Sequence, residues 1–106
     1  MGAMGFAQGE DPYLGAKLTA EYVKGVQEMG VATVSKHYVF NNQETNRNSE
    51  NSLVDDKTAW ELYYPPFQAA VDAGGVGFMC SCANANSNIP PRFSVPPAPT
   101  REFCLR

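Results

Sequence analysis

Basic residues are few in this chain. Eight Lys and Arg stand against eleven Asp and Glu in 106 residues, for a net charge of −3, and they form no stripe or cluster. Proteins that grip phosphate backbones present such a basic surface, so nucleic acid is excluded as the expected partner. No apolar run approaches the roughly 20 residues that cross a bilayer, so no membrane partner is expected either. Met1-Gly2-Ala3-Met4-Gly5 lacks the basic and apolar regions of a secretory leader, and no Asn-x-Ser/Thr sequon follows. Histidine occurs once and cysteine three times. His37, Cys80 and Cys82 do not make a tetrahedral zinc set, so no metal site is expected. An odd cysteine count argues against a disulfide framework, and Cys80, Cys82 and Cys104 read as small buried thiols. Gly74-Gly75-Val76-Gly77 precedes a strand signal, whereas a phosphate cradle follows a strand and opens a helix. No cofactor is expected.

What is present is ordinary for one globular domain: 43% hydrophobic and 18% charged residues. The composition changes sharply near residue 83. Five of the eight prolines fall at Pro90, Pro91, Pro96, Pro97 and Pro99. Residues 83–106 therefore lack the donors and the backbone freedom for helix or central strand, and an irregular tail is expected.

Residues 11–82 alternate between helix and strand signals. Asp11 caps and Pro12 opens a first helix over about 12–29, and Gly30 ends it. Leu14, Leu18, Tyr22, Val26 and Met29 recur at helical spacing, predicting that this stripe is the helix's apolar face. Val31 to Phe40 is rich in β-branched and aromatic residues, as in a strand covered on both faces. A polar loop over 41–54 follows. Asp55 or Asp56 opens a second helix over roughly 56–73, with Trp60, Tyr63, Phe67, Ala70 and Val71 at helical spacing. Pro65-Pro66 predicts a kink or two abutting helices, and Gly74-Gly75 a stop. Val76 to Cys82 reads as a second strand. Helix, strand, loop, helix, strand is the pattern of βαβ units, so the strands over 31–38 and 76–81 are expected to be parallel.

Polar side chains that stand out lie late in the first strand and in the loop. Lys36 and His37 precede the loop. Strand neighbours point to opposite faces, so both reach one ligand only where the strand ends or twists. His37 also reads as a satisfied core residue. Arg47 offers a planar donor fork for carboxylates or paired hydroxyls, or is a solvated surface cation. Glu44 and Glu50 are candidate carboxylates of the loop, as are Asp55 and Asp56, which read better as helix caps.

These residues sit inside a larger pattern. Gly9-Glu10-Asp11-Pro12-Tyr13-Leu14, the stretch from Ser35-Lys36-His37-Tyr38 to Asn46-Arg47, Tyr63-Tyr64-Pro65-Pro66-Phe67-Gln68-Ala69-Ala70-Val71, and Phe78-Met79-Cys80-Ser81 resemble, in order and spacing, four motifs of the glycoside hydrolase family 3 catalytic domain. The resemblance covers about residues 9–81 and implies the fold class: α/β, a partial (β/α)8 barrel, with residues 1–82 a barrel segment. It implies a β-glucosidase type of enzyme that hydrolyses β-glucosides or β-xylosides with retention. It further implies that Lys36, His37 and Arg47 hydrogen-bond sugar hydroxyls. Family members are often secreted, which the start of this chain does not reflect.

The likeness departs after Ser81, where Cys82 and Ala83 replace the family's Tyr and Asn. The motif that carries the family's nucleophilic aspartate does not occur in these residues, so no catalytic residue is assigned. A chain cut short of both carboxylates is expected to be inactive. The alternatives are a non-enzymatic remnant with weak sugar affinity and a small interaction protein whose Pro96-Pro97-Ala98-Pro99 docks an aromatic groove. Two barrel strands also leave open sheet edges, through which copies of the chain are expected to associate.

Overall fold

The computed structural model describes residues 2–4, 9–46, 51–81, 84–85 and 104–105. Its elements in chain order are β1 (Gly2–Met4), α1 (Pro12–Glu28), β2 (Thr33–Tyr38), β3 (Asn51–Ser52), α2 (Asp56–Thr58), a π turn (Ala59–Tyr63), α3 (Tyr64–Asp72), β4 (Gly77–Cys80), β5 (Asn84–Ala85) and β6 (Cys104–Leu105). One sheet has the order β1-β2-β4-β6, every neighbouring pair parallel. β3 and β5 form a second, two-stranded parallel pair. β2 and β4 are thus adjacent parallel strands joined through the helical run, as the βαβ pattern requires. Within the Pro-rich stretch the described residues are the two-residue strands β5 and β6.

α1 begins on local chemistry, and both α1 and α3 end on it. The Asp11 carboxylate accepts from the Tyr13 and Leu14 N–H groups at 2.8 and 3.1 Å, with Pro12 at the first helical position. At the other end of α1, Gly30 N–H donates to Gln27 O and Val31 N–H to Val26 O, with Gly30 at φ 74°. α3 ends the same way: Gly74, at φ 85°, donates to Val71 O, and Gly75 to Ala70 O. These are paired Schellman closures, in which glycine takes the left-handed position.

The packed face of α1 differs from the stripe that periodicity marks. Gly15, Thr19 and Val23 are buried, while Leu14, Leu18, Tyr22 and Met29 are 50%, 47%, 43% and 82% exposed. Small residues let α1 lie close against α3, where Val23 meets Ala70, with Ala73 and Phe78 around them. The larger apolar residues are left on the flank.

The second helix departs in phase. It runs through Pro65-Pro66 by widening into the π turn, where Tyr64 N–H donates to Ala59 O, five residues back. The prolines have no N–H to give to the preceding turn, and the extra residue accommodates that loss. The buried face becomes Ala59, Tyr64, Phe67 and Ala70, and Trp60 turns out to solvent.

β2 begins with three consecutive buried residues, Thr33, Val34 and Ser35. Successive strand residues face opposite ways, so both faces of the sheet are covered there. Gln27 fastens this end of the molecule: its amide donates to Gly74 O at 3.0 Å and accepts from the Thr33 hydroxyl at 3.1 Å. Val76 N–H donates to Thr33 O at 3.2 Å.

Candidate functional site

The C-terminal ends of β2 and β4 lie together, as parallel strands must. Register runs from Val34 opposite Gly77 to Lys36 opposite Met79, then slips, so that Tyr38 comes opposite Cys80 and His37 has no partner. Ser81 N–H closes the edge with a 2.7 Å bond to Tyr38 O. An extra residue of this kind re-aims the side chains around it. Lys36 and His37 are both half-buried here. Neither makes a side-chain hydrogen bond or ion pair to another described residue.

The chain is anchored on the far side of this irregularity. Tyr38 packs against Phe67, Phe78 and Tyr64 with ring centroids 5.0, 5.4 and 6.2 Å apart. Two residues later Phe40 is 4% exposed and left-handed at φ 67°. An aromatic residue rarely adopts that conformation. It is held by an edge-on contact with Tyr63 at 5.0 Å, and its carbonyl accepts from the Ser52 hydroxyl at 3.0 Å. The turn redirects the chain into the polar loop across the strand ends.

In that loop the Asn42 amide donates to the Tyr63 hydroxyl at 2.6 Å, and the Gln43 amide to Thr45 O at 2.9 Å. Asn41 Oδ1 is buried with no hydrogen-bond partner among the described residues. Glu44 is exposed. Arg47 and Glu50 lie outside the described residues, so of the three expected sugar-binding residues only Lys36 and His37, neighbours at the end of β2, are described. Asp55 acts as a cap: its carboxylate accepts from Thr58 N–H at 2.9 Å and from the Thr58 hydroxyl at 2.7 Å. These bonds, the backbone one first, hold it below the usual carboxylate range. Burial raises the Tyr64 phenol, with a smaller contribution from the Asp56 charge.

The expectation of three free thiols is corrected at β4. Cys80 is disulfide-bonded. An odd count excludes a complete framework but still allows one pair. The other two cysteines, Cys82 and Cys104, have side chains outside the described residues. Among the described residues no three His, Cys, Asp or Glu side chains gather as metal ligands.

The profile of the glycosyl hydrolase family 3 N-terminal domain matches residues 2–100. The chain belongs to glycosyl hydrolase family 3. The match continues well past Ser81, where the short motifs stop, and takes in most of the Pro-rich stretch. Probable beta-glucosidase M of Neosartorya fischeri is 48% identical over 88 residues, covering 74% of this chain and 11% of that protein. The chain thus spans about a tenth of the length of such curated relatives. DesR, a β-glucosidase from Streptomyces venezuelae solved in complex with D-glucose, superposes with a TM-score of 0.71 at 40% identity. It covers 73% of this chain and 10% of its own. β-Glucosidase 3B from Thermotoga neapolitana, solved with glucose, gives 0.71 at 32%, covering 79% and 13%. The helices and parallel strands are therefore a partial α/β fold of the family 3 barrel type. In such barrels the strands' C-terminal ends carry the active-site loops, the end where Lys36 and His37 lie.

Proposed function

We propose that this chain supplies one strip of the sugar pocket of a β-glucosidase, with Lys36, His37 and Arg47 donating hydrogen bonds to hydroxyls of a β-glucoside or β-xyloside. The observation that carries this reading is the slip between Lys36 and Tyr38. Lys36 and His37 lie at it, half-buried and with no hydrogen-bond or ion-pair partner among the described residues, at the end of the strand that barrel enzymes use for chemistry, which supports a sugar-holding role for them. The glucose complexes of two family 3 relatives support a sugar as the ligand.

Holding a sugar is distinct from cleaving it. Retaining hydrolysis uses two carboxyl groups about 5–5.5 Å apart, one to attack the anomeric carbon and one to protonate the leaving oxygen. Asp55 is committed to its cap and Glu44 is exposed in the loop. On this reading the 106-residue chain binds sugar weakly and does not turn it over. The test is aryl β-glucoside hydrolysis by the purified chain, with turnover expected at background. Activity that survives purification and vanishes in Glu44→Gln or Glu50→Gln would contradict the reading.

A further inference from the structure

β6 stands where a barrel puts a different strand. Consecutive strands of a barrel are neighbours, so the edge of β4 opposite β2 belongs to the next barrel strand. Here Cys104 and Leu105 occupy that edge, parallel to β4, with Cys104 opposite Phe78 and Leu105 opposite Met79. They lie beyond residues 2–100, the stretch that matches the family domain. A parallel neighbour must return to the starting end of the sheet through a connection of about a dozen residues or more. Residues 81–103 supply that length, and β5 within them pairs with β3.

We propose that Cys104-Leu105 is a surrogate edge strand. It fills the place of the next barrel strand and so keeps β4 from pairing with a second copy of the chain. A bare strand edge presents unpaired N–H and C=O groups that template another strand, and very short edge strands with charge beside them blunt that tendency. The sheet has this form. β2 and β4, with six and four residues, lie inside, while β1 with three and β6 with two form the edges. In the sequence Arg101, Glu102 and Arg106 flank β6 with charge.

The guarded groups follow from the ladder. Val76 N–H donates to Thr33 O, so the Val76 backbone faces β2. Backbone direction alternates along a strand, hence Phe78 also faces β2, while Gly77 and Met79 face β6. Register sets Cys104 between those two. Its backbone is therefore the one that meets Gly77 O and Met79 N–H.

Residue-resolved amide hydrogen exchange and sedimentation velocity on the 106-residue chain test this, with Cys104→Pro and Cys104→Ser alongside. Proline removes the N–H that β6 gives to the ladder, whereas serine removes only the sulfur. The unaltered chain and Cys104→Ser are expected to sediment as monomers over a dilution series, with the Met79 amide protected. In Cys104→Pro the Met79 amide exchanges about tenfold faster or more, while that of Phe78 is unchanged. This variant associates as its concentration rises, with helical circular dichroism retained. A Met79 amide that exchanges as fast in the unaltered chain as in Cys104→Pro overturns the proposal, and so does protection lost without association. Association of the unaltered chain or of Cys104→Ser as strong as that of Cys104→Pro also overturns it, because backbone pairing by β6 would then guard nothing.

Discussion

Tyr38 meets Phe67 edge-on, with ring centroids 5.0 Å apart and planes at 83°. The contact joins the last residue of β2 to the middle of α3, so the strand end that carries Lys36 and His37 is set by a helix in the outer layer. Phe67 also packs edge-on to Phe78 of β4 at 5.8 Å, tying both strands to one ring. Phe67→Ala is expected to cost about 3–5 kcal/mol. A chain of this size has only about 5–15 kcal/mol in total. The urea midpoint should fall steeply, with loss of the near-ultraviolet circular dichroism of the aromatic cluster. An unchanged midpoint would remove the cluster from the account.

At the opposite end, Gly75 tests how closely α3 approaches the sheet. A Cβ there would lie 2.8 Å from the Ala70 carbonyl oxygen, the same oxygen that accepts the Gly75 N–H. Gly75→Ala should therefore destabilise the fold, although replacing glycine normally stabilises through the unfolded chain. Gly25→Ala, with open space around its Cβ, should be neutral or stabilising for the monomer. Thermal melts of the two variants at low concentration check the contrast.

Acid sensitivity follows from Asp55. The Thr58 hydrogen bonds depress its carboxyl below the ordinary value of 3.8 in the folded chain. A group with a depressed folded pKa contributes stability above its unfolded pKa and loses it as pH falls through the folded one. The Lys24 partner depresses Glu21 in the same direction. Stability should therefore decline as pH drops below about 4. Asp55→Asn, which keeps a capping oxygen but cannot ionise, should flatten part of that decline. Urea midpoints across the acid range measure it.

Much of the fold is legible in the sequence because the signals are local. Asp11 with Pro12, Gly30, and Gly74-Gly75 mark helix ends by chemistry that needs no distant partner. The face of α1 is not legible in the same way. Periodicity weights Leu14, Leu18 and Tyr22, but close packing against α3 is made possible by Gly15 and Thr19, whose small size is the signal. The phase of the second helix also escapes, since the π turn depends on how the chain absorbs two prolines. At the site, Lys36 and His37 stand out through the resemblance to the family. The register slip between Lys36 and Tyr38 and the left-handed Phe40 arise from pairing and packing that no short motif encodes.

Glucose titration of the isotope-labelled 106-residue chain, followed by backbone amide and side-chain NMR, addresses the sugar strip most directly. The account predicts fast-exchange shifts centred on Lys36, His37 and Arg47. Removing a hydrogen bond to a charged donor costs about 1.5–3 kcal/mol, so Lys36→Ala should weaken the response by about tenfold or more, with the aromatic cluster's signals unmoved. Glucose that shifts none of these residues, or a response that Lys36→Ala and His37→Ala leave intact, would contradict the assignment of this strand end as the sugar-holding strip.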